Sequence, residues 1–474
     1  MTNIIWFRSD LRTLDNQALN AALSHDRTKT VRAVFYVSET QWLNHGWGPN
    51  KIGFVLQHVL SLRQNLAKLN VQLDIEYCDE FKNIPEHLLN YLVKHKSKNL
   101  FYNHEYELNE TLRDQTVTRI SQQHNIQVYT FQSQTLIRPG IILTKLLTPY
   151  SIFTPFKKAC YEYLFRNLPA PIEPPKTAAK SPIVLQAINP KFQKYINNSI
   201  LKNWKTGQAH ALQILDEFCE QDIQHYQQQR DFPNLNATSG LSAYLAVGAI
   251  SVKQCFIAAI TSNKHEFATG NEGIVCWISE LIWRDFYKHI IYHYPELCMG
   301  QNFNHKYDKL DWQNPQPHLQ LWQNGQTGVP IIDAAMRQLL TTGWMHNRLR
   351  MVVAMFLTKN LLIDWRHGEK FFSQHLVDLD FASNNGGWQW SASTGTDAVP
   401  YFRIFNPIAQ SQKFDKDGIF IKKYCPELKT LSSTQIHDPS SSMTKQDLAN
   451  INYPNVIVDI AKSRLRALKR FKEL

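Results

Sequence analysis

The chain has 474 residues, 43% of them hydrophobic, which at roughly 150 residues per domain implies two or three domains around a sizeable core. Its net charge of +11 favours a polyanionic partner through counterion release, or else serves as a solubilising basic surface. Seven scattered cysteines with no Cys-x-x-Cys argue against a disulfide framework or zinc knuckle, and no run approaches the roughly 20 apolar residues of a membrane span, so a soluble protein of the cytoplasm is expected.

The first 130 residues alternate near-continuous apolar runs, "NIIWF", "VRAVFYVS", "QLDIEYC", "NLFYNHE" and "IQVYTFQ", with amphipathic stretches. In "KIGFVLQHVLSLRQNLAKL" Ile52, Val55, Leu56, Val59 and Leu60 recur at helical spacing. This predicts an α/β domain over 1–132 with a parallel sheet of about five strands, covered on both faces. It carries no Gly-x-Gly-x-x-Gly and no Gly-x-x-x-x-Gly-Lys, so no dinucleotide or nucleoside triphosphate is expected at its first turn. Residues 133–204 run into "PAPIEPPKTAAKSPIVLQAINP", where prolines break both helix and ladder, and read as a linker across the surface. From 205 to 474 the pattern is mainly helical, and eight of the twelve tryptophans fall between Trp277 and Trp390.

Several constellations carry chemistry. Thr238, Ser239, Gly240 and Ser242 precede an apolar helical pattern, which suits either an anion site for a pyrophosphate or a plain N-cap. In "CWISELIWRDFYKH" Trp277, Glu280, Trp283, Arg284 and Lys288 lie three or four residues apart. That is a face for a flat heterocycle or base, or a core helix with a Glu280–Arg284 ion pair. His289 and His293 have i, i+4 spacing but no third ligand, and read as packing residues. Trp344, Asn347, Arg348 and Arg350 gather at a predicted helix start, and Asp378, Asp380 and Asn384 follow in "DLDFASNNGGWQWSASTGTD". The two aspartates suit ion pairing with the arginines better than a metal, and no metal is expected. The small, polar residues around Trp388 and Trp390 read as a packed loop. Trp312, Trp365 and Trp388 suit core packing, or a chain of oxidisable indoles.

Together "WFRSDLRTLDNQAL", "FYNHEYELNE", "FTPFKKA", "RDFP", "TSGLSAYL", "TGWMHNRLRM" and "NNGGWQWSASTGTDAVPYFRIFNP" closely resemble the DNA photolyase and cryptochrome family, most nearly its bacterial class I cyclobutane pyrimidine dimer photolyases. The resemblance implies an α/β antenna domain and a helical domain that binds FAD and DNA. By matching positions it implies FAD contacts at Tyr226, Thr238, Ser239, Gly240, Leu241, Ser242, Trp277, Trp344, Arg350, Asp378, Leu379, Asp380 and Asn384, with Asn384 beside flavin N5. Trp312, Trp365 and Trp388 match an electron relay, with Trp388 nearest the flavin. Glu280, Trp283, Asn347, Met351 and Trp390 match the dimer pocket, and Arg230, Arg284, Arg348, Arg403 and Gln410 match contacts to the DNA strand.

The implied reaction is light-driven splitting of the dimer by an electron from FADH⁻, with Glu280 and Asn384 as the catalytic pair and a monomer acting on damaged DNA. Asn109, Glu110 and Cys298 match contacts to a methenyltetrahydrofolate antenna. Met299 stands where such relatives can carry a lysine, and deazaflavin is the alternative. Asn347 and Met351 replace the histidine pair of (6-4) photolyases. Trp390 keeps a tryptophan that DASH cryptochromes usually lack. Asparagine rather than aspartate at 384 and no long tail after residue 474 speak against a plant-type cryptochrome receptor, which is the second reading.

Overall fold

The computed structural model describes residues 2–26, 28, 30–170, 172–173 and 175–474. Pro171 and Pro174 of the proline-rich stretch lie outside the described residues, as does Met1 at the start of the expected α/β domain.

The chain divides into two compact units, one of residues 1–224 with 239–298 and one of residues 225–238 with 299–474. In the first unit the five apolar runs form strands β1 (Thr2–Phe7), β2 (Thr30–Val37), β3 (Gln72–Tyr77), β4 (Asn99–Asn103) and β5 (Gln127–Phe131). They make one sheet in the order β3-β2-β1-β4-β5, every pair parallel. Ile5 sits opposite Ala33 on one side and Phe101 on the other. Ile4, Ile5 and Phe7 are all fully buried; residues of both parities are covered, as in a sheet with helices on its two faces. The amphipathic stretch forms the helix Pro49–Lys68, which starts with proline in its first turn, where a missing N–H costs nothing. Ile52, Val55, Leu56 and Val59 are buried in it, and Leu62 and Leu66 extend the apolar stripe that Leu60 leaves.

The segment expected to be a linker carries a helix, Phe153–Arg166, which buries Phe153, Phe156, Cys160 and Leu164. Its apolar face packs on the helix Glu272–His293 of the same unit, where Phe153 stacks on Trp283 and Phe156 meets Phe286. Residues 172–173 and 175–189 are irregular, as their prolines dictate.

The second unit is helical. Helix Asn347–Met355 runs into a π-turn at Phe356–Asn360, followed by helices Trp365–His375 and Phe381–Ala392. The last is a correction: the Gly- and Asn-rich stretch read as a loop is a helix of three turns. Asp380 caps it by accepting from Ser383 N, and Ser393 ends it in the left-handed region at φ 68°. Its intrinsic propensity is poor, but Ala382, Asn385, Trp388, Gln389 and Ala392 are buried, so packing supplies what propensity withholds.

Candidate functional site

In the first unit the helix Glu272–His293 is started by Asn271, whose side chain accepts from Ile274 N. Its mixed face divides on folding. Trp277 is buried and packs against Phe218, with ring centroids 5.2 Å apart. Glu280, Trp283 and Arg284 are half-buried. Trp283 stacks on Phe153 at 3.6 Å with the rings 10° from parallel, which holds one face of the indole and fixes its plane. Arg284 Nη1 donates to the Gln134 carbonyl at 2.5 Å, and buried Lys288 pairs with Glu107 at 3.5 Å.

Neighbouring Asp285 is structural. Burial pushes its carboxyl up to about 7, against the pull of Arg284 and the Leu136 and Ile137 N–H groups. His289 Nε2 donates to the Ile137 carbonyl of the same segment at 3.1 Å. Burial lowers the imidazole to about 4, with the Ile137 bond opposing, so it packs as a neutral ring.

Ser239, Gly240 and Leu241 precede the short helix Ser242–Val247, which Ser242 begins. Leu241 takes the cap position with no side-chain cap bond, so the N-cap reading of the hydroxyls is not what is observed. Gly240 has φ +64°, and a Cβ there would meet nothing within 4 Å. Asn109 is exposed and donates toward His45 Nε2 at 3.0 Å. Burial raises the Glu110 carboxyl to about 8, with Glu107 and Glu105 adding to it and Arg113 opposing. Cys298 is half-buried. The stacked pair Trp42–Trp47, 5.4 Å and 11°, flanks His45 in sequence; "QWLNHGW" offered the signal, two aromatics around a histidine in a polar segment, but only folding stacks them.

In the second unit Tyr226 is buried, and the Arg230 guanidinium lies 5.4 Å from its ring centre. Thr238 is half-buried. Arg348 Nη2 pairs with Asp231 at 2.6 Å while its guanidinium lies over Phe414. His346 caps the next helix by accepting from Arg348 N, and burial lowers its imidazole to about 4, which keeps the capping nitrogen an acceptor.

Arg350 Nε donates to Met345 O at 2.8 Å and Nη2 to Asp378 at 2.7 Å. The other Asp378 oxygen, Oδ1, is buried with no hydrogen-bond partner among the described residues, an acceptor that a ligand N–H could satisfy. Leu379 is buried beside it. The two aspartates therefore do separate work, Asp378 in an ion pair and Asp380 at a helix cap. Asn384 Nδ2 donates to Glu369 O at 3.1 Å and to Ser373 Oγ at 3.2 Å. With both amide hydrogens directed into the helix pair, Oδ1 is the end left for a ligand.

Trp388 is buried edge-on against Phe372 at 5.0 Å and Trp322 at 6.1 Å; Trp390, two residues on, is half-buried. A helical step of two residues turns the side chain by about 200°, so the two indoles leave on opposite faces. Trp365 is fully buried and its N–H donates to Asn302 Oδ1. Trp312 is half-buried, edge-on to Phe471 at 6.3 Å. Trp344, Met351 and Gln410 are half-buried, and Asn347 and Arg403 are exposed.

Two further residues escaped sequence reasoning. Trp322, whose N–H donates to Val353 O, forms a wall of the Trp388 pocket. Lys359, on the π-turn, is fully buried, donates from Nζ to Ala392 O at 3.0 Å and Ser393 Oγ at 2.8 Å, and lies 3.4 Å from the Phe471 ring centre. Burial lowers its ammonium well below the ordinary value.

Residues 3–176 match the family described as DNA photolyase, and residues 277–473 match the FAD binding domain of DNA photolyase. The deoxyribodipyrimidine photo-lyase of Escherichia coli strain K12 is 39% identical over 99% of this chain and 98% of its own. That of Buchnera aphidicola from Acyrthosiphon pisum is 40% identical over 99% and 97%. Among solved structures, a bacterial class III photolyase from Agrobacterium tumefaciens is 34% identical with a TM-score of 0.88, covering 100% of this chain and 98% of its own. The chain belongs to the DNA photolyase family.

Its residues fit FAD. Asp378 Oδ1, without a partner among the described residues, and the fixed Asn384 amide would supply acceptors for ring N–H groups. Among the described residues no group of three His, Cys, Asp or Glu side chains is placed to hold a metal ion, and no helix is long and apolar enough to cross a membrane.

Proposed function

We propose that the chain is a deoxyribodipyrimidine photo-lyase that repairs cyclobutane pyrimidine dimers in DNA with light. The observation that carries the reading is the pair of acceptors held ready for a flavin edge, Asp378 Oδ1 beside Arg350 and Asn384 Oδ1 on the helix that follows, in a chain that matches repair enzymes along 99% of its length. Bound as FADH⁻, the cofactor supplies the light-excited electron that opens the dimer's C5–C5 and C6–C6 bonds and then returns, with no net redox change.

The chain's own residues bind, orient and exclude water. In the first unit Ser239, Gly240, Leu241, Ser242 and Trp277 are assigned to FAD. In the second, Tyr226, Thr238, Trp344, Arg350, Asp378, Leu379, Asp380 and Asn384 are. With its amide N–H groups held by Glu369 O and Ser373 Oγ, Asn384 would present Oδ1 to flavin N5. Glu280 and Trp283 of the first unit, and Asn347, Met351 and Trp390 of the second, are assigned to the flipped lesion. A dimer already distorts its duplex, so extruding it costs less than extruding normal bases, and aromatic walls recover stacking. Trp283, pre-stacked on Phe153, presents its plane without reorganisation. Glu280 stabilises charge developing on the pyrimidine carbonyl region. Arg230, Arg284, Arg348, Arg403 and Gln410 hold the strand, setting affinity separately from lesion choice.

Residues 1–132 are proposed as the antenna domain, 133–204 as a connecting segment, and 205–474 as the FAD and DNA domain. Asn109, Glu110 and Cys298 are assigned to an antenna, methenyltetrahydrofolate or a deazaflavin. A monomer working in the cytoplasm completes the proposal. A light receptor without repair is the weaker reading, since the curated relatives that match at 39–40% identity are named for repair. The test is Glu280→Ala: FAD stays bound while the repair quantum yield falls, and an unchanged yield would remove Glu280 from the mechanism.

A further inference from the structure

Asn302 has no part in the function described so far, yet the second unit builds a site around it. The fully buried Trp365 donates its indole N–H to Asn302 Oδ1 at 2.9 Å. Asn302 is itself 2% exposed, and its Nδ2 donates to Asp308 Oδ1 at 2.7 Å. The other Asp308 oxygen lies 3.0 Å from the exposed His305 Nδ1.

The backbone that carries Asn302 is tied at four places. Arg366 Nε donates to Gly300 O at 2.6 Å and Gln389 Nε2 to Gln301 O at 3.2 Å. Phe303 N donates to Gln389 Oε1 at 2.9 Å, and Asn304 N to Thr394 O at 2.9 Å. Gln389 directly follows Trp388, so the helix that carries one indole fixes the hydrogen-bond partner of another. Arg366, whose guanidinium lies 4.8 Å from the Trp365 ring centre, is itself paired with Asp364 at 3.0 Å.

Loss of one electron makes an indole N–H far more acidic. A base beside it would take the proton, leaving a neutral radical that is a weaker oxidant and holds the hole in place. An amide oxygen accepts the hydrogen bond but is too weak a base to accept the proton. The bond also strengthens when its donor becomes cationic, and donation to Asp308 polarises the amide in the same sense, an effect damped because Asp308 is 47% exposed.

We propose that Asn302 is a positioning residue of the electron relay, holding the Trp365 indole N–H on an acceptor that cannot deprotonate it. Resting on the assignment of Trp388, Trp365 and Trp312 as that relay, the proposal fixes each transfer. One electron passes from Trp365 to oxidised Trp388, one then passes from Trp312 to oxidised Trp365, and no proton leaves Trp365.

Transient absorption of the flavin-loaded protein separates protonated from deprotonated tryptophan radicals. The double variant Asn302→Asp with Asp308→Asn exchanges amide and carboxylate, putting the base on the indole. It should trap a deprotonated Trp365 radical, cut the yield of the Trp312 radical severalfold and introduce a solvent deuterium isotope effect absent from the wild type. Asn302→Leu should shift the Trp365 indole ¹⁵N–¹H resonance and slow oxidation of Trp365 about tenfold, the change that about 1.4 kcal/mol makes in a rate, with no deprotonated radical. Wild-type kinetics in the double variant would overturn the proposal. Should that variant not fold, a deuterium isotope effect on the transfer from Trp312 to oxidised Trp365 in the wild type would overturn it equally. Photoreduction unchanged in Trp388→Phe is a different result, which refutes the relay itself.

Discussion

A Cβ on Gly368 would fall 2.1 Å from Cη2 of Trp388, so the helix Trp365–His375 accommodates the indole only because residue 368 has no side chain. The ring lies in the slot between Gly368, Phe372 and Trp322. Gly368→Ala should therefore displace the indole rather than merely stiffen the helix. The expected cost is about 1–3 kcal/mol, as for other overpacked cores, with slower photoreduction of the flavin. Urea unfolding and steady illumination of the oxidised protein measure both. A stabilised variant with normal photoreduction would show that the slot is not rigid.

Arg350 and Asp378 make a pair of unequal members, the arginine one-quarter exposed and the aspartate nearly enclosed. Arg350→Ala strands a buried carboxylate and should cost about 3–5 kcal/mol. Asp378→Asn leaves a neutral partner, should cost less, and should lower the FAD content of the purified protein. Full FAD occupancy in Asp378→Asn would contradict the role given to its free oxygen.

Glu369 gives a pH dependence with a definite sign. Burial pushes its carboxyl up to about 7, opposed by the Asn385 hydrogen bond and Arg366. A carboxyl raised on folding contributes most below its ordinary value near 4.5 and loses that contribution as pH climbs to about 7. Relative to Glu369→Gln, the wild type should weaken by on the order of 3 kcal/mol across that window and then level off. Unfolding of both proteins from pH 4 to pH 8 checks it, and a constant difference would mean that Glu369 titrates normally.

Trp388 and Trp390 leave one helix on opposite faces, and their replacements should fail differently. Trp388→Phe should slow photoreduction by at least about tenfold, as loss of about 1.4 kcal/mol or more would, while prereduced protein repairs normally. Trp390→Ala should reduce affinity for dimer-containing DNA by about 1–3 kcal/mol, the worth of one base–aromatic stack, while photoreduction persists. One shared defect would end the division of labour.

The parallel sheet was legible because strands buried on both faces write nearly unbroken apolar runs. The helix Phe381–Ala392 was not, because Gly386 and Gly387 and a run of amides mask a period that only tertiary burial of Trp388 and Gln389 enforces. The helix Phe153–Arg166 was hidden by the proline-rich text that follows it, although Phe153, Phe156, Cys160 and Leu164 keep helical spacing. Within the site, Arg350 and Asp378 read correctly as ion-pair formers, whereas Asp380 caps a helix instead. Trp322, Asn302 and Lys359 did not register, since a buried indole, an amide in a loop and a lysine on a π-turn acquire partners only through contacts distant in sequence.

The central claim is repair, and the most direct measurement follows the lesion itself. Purified protein with its FAD fully reduced is mixed with an oligonucleotide containing a cyclobutane thymine dimer and illuminated with blue or near-ultraviolet light, while the ultraviolet absorbance of thymine is recorded. Repair predicts that the absorbance returns in the light, with many dimers split per protein and no change in the dark. No return in the light, with FAD present and reduced, would contradict it and leave a flavoprotein that senses light without mending DNA.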